Sequence, residues 1–203
     1  MNASFATLLA TLLATALIRG SDDDVVQRLH VRFDMYDLVA ASCSDVIARQ
    51  PEPGFAAFQF RYAISGERFA GAHRYNGKLT FSLGEIVVHV PRTITWPGMT
   101  AADRERTARL RRAIEHHEIG HVRIAEAVRD ALNADDPIDA PDAAAFDAAA
   151  RSRGRDGFDR FKREEREYDA LTSHGRRQHA GPGDLAGADT ALMCPAAERM
   201  SAS

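Results

Sequence analysis

The chain has 203 residues, 45% of them hydrophobic and 27% charged, with a formal net charge of −3. That length points to one domain able to bury a sizeable core. Its 26 basic residues are dispersed and offset by 29 acids, which argues against a nucleic-acid partner or an anionic membrane surface.

In chain order, the first feature is Phe5 to Ile18, an uncharged apolar run followed closely by Asp22-Asp23-Asp24. As a helix it would span about 21 Å, short of a ~30 Å hydrocarbon core. It suits the apolar region of a signal peptide, with Ala14-Thr15-Ala16 as a small-x-small cleavage site, although residues 2–4 carry no Lys or Arg. The expectation is a leader over residues 1–20, a periplasmic or secreted product, and no stable membrane insertion once the leader is removed. A buried N-terminal helix is the alternative.

Residues 25–96 read mainly as strand. Leu29 to Val39 and Phe58 to Ile64 are rich in aromatic and β-branched residues, and Phe58, Phe60 and Tyr62 alternate with Gln59 and Arg61. Ser42 to Gln50 fits a short helix ended by Pro51-Glu52-Pro53-Gly54. Leu79 to Leu83 and Ile86 to Ile94 are further strands with a turn at Gly84-Glu85, and Pro91 suggests an edge or a strand end.

From Thr100 to about Asn133 the pattern is one helix. Leu110, Ile114, Ile124, Val128 and Leu132 form a single apolar stripe, and Thr100 with Asp103 resembles a helix-starting cap. A loop to Pro141 leads to a second helical region, Asp142 to Ala170, interrupted by Gly154 and Gly157. Phe158, Phe161, Tyr168 and Thr172 share a face there with Glu165, an acid where none is expected. The chain therefore reads as a single domain over 25–180 and a flexible tail over 181–203.

Residues 117–121 carry the chemistry: His117-Glu118-Ile119-Gly120-His121. Residues four apart lie on one helix face, so His117 and His121 can offer two imidazole nitrogens to one metal. They also fill the gaps in the apolar stripe, where unpaired polar nitrogens would cost roughly 1–3 kcal/mol each. Glu118 points about 100° away, where it can serve a metal-activated water as general base. Hydrogen-bonded core histidines beside a solvated glutamate are the bland alternative.

A catalytic zinc site needs a third protein ligand. Ile124 and Ala127 stand where the extended metzincin motif has Gly and His, and Pro141 stands where a thermolysin-like glutamate would fall. The leading candidate is His174, followed by Gly175; Glu165 and Asp169 are the alternatives. Asp169 better suits a supporting role, accepting the N–H of a ligand histidine. Tyr168 can offer a hydroxyl to an oxyanion, or serve as a core residue. His116 reads as a flanking residue and His179 as a weaker rival to His174.

The run Tyr168-Asp169-x-x-Thr172-x-His174-Gly175-x-x-Gln178, downstream of the histidine pentad, resembles a bacterial family of predicted secreted zinc-dependent peptidases. That family is catalogued as domain of unknown function 922 within the zincin-like group. Val31 to Ile47 and Val87 to Trp96 resemble its opening strand and short helix and its strand before the metal helix. The resemblance covers roughly residues 29–179. It departs at Phe58 and Phe60, where the family often has tryptophan, and at Ala40-Ala41, where glycine is common.

The resemblance implies an α+β, zincin-like fold: an N-terminal, mostly antiparallel sheet on an active-site helix, with a smaller helical C-terminal part. It also implies peptidase activity; together with the residues, the expectation is one catalytic Zn²⁺ held by His117, His121 and His174, and hydrolysis of a peptide or related amide bond with Glu118 as base. The expected partner is a peptide or protein substrate, bound by an edge strand around Ile86 to Val90. The alternative is an inactive, exported metal-binding or interaction module. The two cysteines, Cys43 and Cys194, are too few for a cysteine-built zinc site, and sequence does not show whether they pair.

Overall fold

The computed structural model describes residues 21–48, 54–68 and 74–173. The expected leader, the tail, His174, His179 and Cys194 lie outside the described residues. In order the elements are α1 (Asp22–Arg28), β1 (Arg32–Val39), α2 (Cys43–Ala48), β2 (Phe55–Ala57), β3 (Phe60–Arg68), β4 (Tyr75–Leu83), β5 (Val87–Thr95), α3 (Ala101–Asn133), β6 (Ile138–Ala140) and α4 (Ala143–Thr172). The class is α+β, and three of the four strand pairings are antiparallel. No described helix is long and apolar enough to cross a membrane.

The chain divides into two compact units, one built from Phe58–Glu85 and Arg123–Arg166, the other from Gly20–Ala57, Ile86–Val122 and residues from Glu167 on. The second unit carries a sheet of order β1-β5-β2. β1 runs parallel to β5, and β2 antiparallel to it. The expectation of an edge strand at Ile86 to Val90 is corrected here, because β5 is central and β1 and β2 are the edges. Val88 and Val90 are fully buried, as a central strand requires. Pro91 is tolerated inside it because pairing slips beside it: Tyr36 opposes Pro91 and Asp37 opposes Thr93. A bulge there absorbs the missing proline N–H. Arg92, left out of register, pairs with Asp37, which also accepts the Thr93 hydroxyl at 2.8 Å.

Helix α1 was not expected from the sequence. Ser21 caps it, accepting the Asp24 N–H at 3.3 Å, and three acids fill its first turn. Cap and acids both favour a helix N-terminus, a signal obscured by the apolar run before it. α3 starts at the expected cap: the Thr100 hydroxyl accepts Asp103 N–H at 3.1 Å, and the Asp103 carboxylate accepts Thr100 N–H at 3.0 Å. Its apolar stripe is buried as read, and every residue from His117 to Glu126 is buried. All five residues of the pentad are buried.

The first unit carries the antiparallel sheet β3-β4-β6. β6 lies in the stretch expected to be loop, pairing Ile138 with Gly77 and Ala140 with Tyr75. Phe58, Phe60 and Phe161 form an edge-to-face cluster with centroids 5.1–5.9 Å apart. α4 is continuous, so Gly154 and Gly157 do not interrupt it. A Cβ at Gly157 would meet Leu132 Cδ1 at 2.6 Å; this glycine permits close approach rather than a break. The buried acid of α4 is Glu164, 2% exposed and paired with Arg160 at 2.8 Å. Glu165, about 100° further round, is paired with Lys162 at 2.8 Å. Phe158, expected on the buried face, is exposed.

Candidate metal centre

The centre lies wholly in the unit containing Ile86–Val122 and residues from Glu167 on. α3 supplies His117 and His121 one turn apart, with ring nitrogens Nε2 3.2 Å from each other. The last turn of α4 brings Asp169 between them: its Oδ1 is 3.2 Å from His117 Nε2 and 3.1 Å from His121 Nε2. These three atoms form a nearly equilateral triangle. Donors about 2.05 Å from a shared tetrahedral ion would stand about 3.3 Å apart. Two imidazole nitrogens and one carboxylate oxygen at this spacing therefore fit a zinc-type ion.

Tyr168 is the wedge that sets the triangle. It is 1% exposed. Its ring stacks on His117, with centroids 4.9 Å apart and planes 8° from parallel, and meets His121 edge-on at 5.2 Å and 89°. That position is open only because residue 120 is glycine: a Cβ there would lie 2.0 Å from the Tyr168 hydroxyl oxygen and 2.4 Å from Cζ. One variable position of the pentad is thus fixed by packing. The Tyr168 hydroxyl lies against Gly120, in the interior.

Glu118 is buried and is not one of the grouped donors, which are His117, His121 and Asp169. It packs on the backbone just before β2, since a Cβ at Gly54 would lie 2.9 Å from Glu118 Oε1 and 3.1 Å from Cγ. Tyr36, on β1 and 39% exposed, lies within the field of this carboxylate. Its phenol is held above its ordinary pKa, first by partial burial and then by the Glu118 charge. His117 has a second contact, its Nδ1 lying 3.1 Å from Thr172 Oγ1. His116 faces elsewhere and pairs with Asp22 of α1.

Of the residues singled out from sequence, His117, His121 and Asp169 come together, with Tyr168 packed on both rings. Glu165 is not among the grouped donors, and His174 lies outside the described residues. Asp169 Oδ1 stands at a corner of the triangle, and Thr172 Oγ1 lies beside His117 Nδ1. Gly54, Tyr36 and Thr172 were not identified as site residues. Thr172 alone left a trace, as one of the fixed positions in the quoted run.

The model of a family described as a bacterial protein of unknown function (DUF922) matches residues 48–175, a span that includes the pentad, Tyr168, Asp169 and Thr172. No curated protein and no solved structure matches the chain.

Proposed function

The chain belongs to this bacterial family of unknown function, and we propose that it is a metal-dependent hydrolase, a zinc peptidase of the H-E-x-x-H type. The observation that carries the reading is the triangle of His117 Nε2, His121 Nε2 and Asp169 Oδ1, with edges of 3.1–3.2 Å. His117, His121 and Asp169 would hold Zn²⁺, three protein ligands being the number typical of catalytic zinc sites. When bound, the ion supplies a Lewis acid that brings deprotonation of water near neutral pH and polarises a carbonyl.

The chain's own residues do the rest. Glu118, one position on from His117 and outside the donor set, takes the proton from water and later gives it to the leaving amine. Its carboxylate is buried, one helix position from the His117 ligand. Gly54 lets that carboxylate pack against the backbone entering β2. Tyr36, whose pKa is raised by partial burial and by the Glu118 charge, keeps its phenol O–H. Tyr168 holds both imidazoles, limiting the motion that would loosen the ligand set.

An exported location is proposed from the apolar run Phe5 to Ile18 and from Cys43, which is disulfide-bonded, as in oxidising compartments. Replacing Glu118 with Gln tests the mechanism. Zinc binding should persist while hydrolysis of a peptide library falls by at least about a hundredfold. Equal hydrolysis by wild type and Glu118→Gln would remove Glu118 as the base. Zinc binding with no hydrolysis by the wild type would favour the inactive metal-binding module.

A further inference from the structure

Thr172 is the last residue of α4, and Ser173 after it turns left-handed at φ 51°. The Thr172 hydroxyl has two neighbours: the Tyr168 carbonyl at 2.8 Å and His117 Nδ1 at 3.1 Å. A hydroxyl has one proton to donate and lone pairs to accept with. A carbonyl oxygen can only accept, so the hydroxyl proton goes to Tyr168. The contact with His117 must then run the other way, from ring N–H to hydroxyl oxygen.

We propose that Thr172 is a positioning residue for His117: its hydroxyl accepts the Nδ1–H of that ring and thereby leaves the Nε2 lone pair facing His121 and Asp169. The proposal rests on the metal-site reading above. Reversing the Thr172 hydroxyl would place the ring proton on Nε2, opposite Asp169 Oδ1 at 3.2 Å, where it would block ligation. The Tyr168 backbone thus orients the hydroxyl while the Tyr168 ring stacks on the same imidazole at 4.9 Å, so one turn of α4 fixes both the plane of His117 and its protonated nitrogen. Ligand histidines are commonly held in this way through the nitrogen that does not bind metal, and losing such a partner costs about 10–100-fold in metal affinity.

The test compares the full chain with Thr172→Val, which keeps the shape and loses the hydroxyl, and Thr172→Ser, which keeps the hydroxyl. Zn²⁺ alone is titrated against a chromophoric chelator, and imidazole ¹⁵N spectra are recorded on the zinc-loaded proteins. Thr172→Val should bind zinc about 10–100-fold more weakly, with Thr172→Ser close to wild type. The wild type should show His117 protonated at Nδ1 and bound through Nε2. Undiminished affinity in Thr172→Val, or a His117 proton on Nε2 in the loaded wild type, overturns the role of Thr172 alone. A wild type that takes up no zinc overturns the metal-site reading and this proposal with it. If Thr172→Val does not fold, the wild-type spectrum and the Thr172→Ser affinity still decide.

Discussion

Gly120→Ala puts the packing of the centre to a quantitative test, because two opposing terms act at that position. In an ordinary helix interior the change would stabilise by about 1 kcal/mol. Here the added methyl would lie 2.0, 2.4 and 2.8 Å from Oη, Cζ and Cε1 of Tyr168. The ring is 1% exposed and stacked on His117, so it can move only by breaking contact with the histidines. Overpacking of a tight core costs about 1–3 kcal/mol, and so close an approach belongs at the upper end. The net expectation is a loss of about 2 kcal/mol, read as a lower urea midpoint with unchanged m-value. In a Tyr168→Ala background the clash is gone, and the same substitution should stabilise by about 1 kcal/mol. The displaced ring should also disturb His117 and its neighbour Asp169, weakening zinc binding. Stabilisation by Gly120→Ala in the wild-type background would refute the reasoning.

Gly54→Ala should act on the base and spare the ligands, since its Cβ would meet Glu118 Oε1 at 2.9 Å and Ile114 Cγ2 at 2.8 Å. Peptide hydrolysis should fall while zinc affinity, measured by chelator competition, stays near wild type. The α3 cap predicts an acid dependence. Hydrogen bonds from the Thr100 side chain, then its backbone N–H, hold Asp103 below the usual carboxylate range. Its contribution is full above the unfolded value of about 3.9 and is lost as pH falls through the lower native value. Urea midpoints followed downward from about pH 6 should therefore fall less steeply for Asp103→Asn than for wild type.

What could be read in the sequence was what depends on helical spacing. The pentad, the stripe from Leu110 to Leu132 and the Thr100–Asp103 cap are all local relations along one helix, and the described structure contains each of them. Relations across the chain were harder to read. Nothing in the run Ile86 to Ile94 distinguishes a central strand from an edge, and Pro91 pointed to the edge because the bulge opposite Tyr36 depends on another strand's register. β6 is three residues long, too short for alternation to declare itself. Gly157 looked like a break because its reason, the side chain of Leu132, comes from a different helix. At the centre, the near-equal approach of Asp169 to both histidines was not legible. Its distance to Nε2 of both histidines is set by how the last turn of α4 meets α3, and no spacing within either helix encodes that.

The most direct test of the account is zinc content and affinity of the purified chain after dialysis against a weak chelator, with Asp169→Ala and His174→Ala measured beside wild type. The account predicts about one zinc per wild-type chain and a sharp loss in Asp169→Ala. Zinc retained undiminished in Asp169→Ala, or none bound by the wild type, would contradict it.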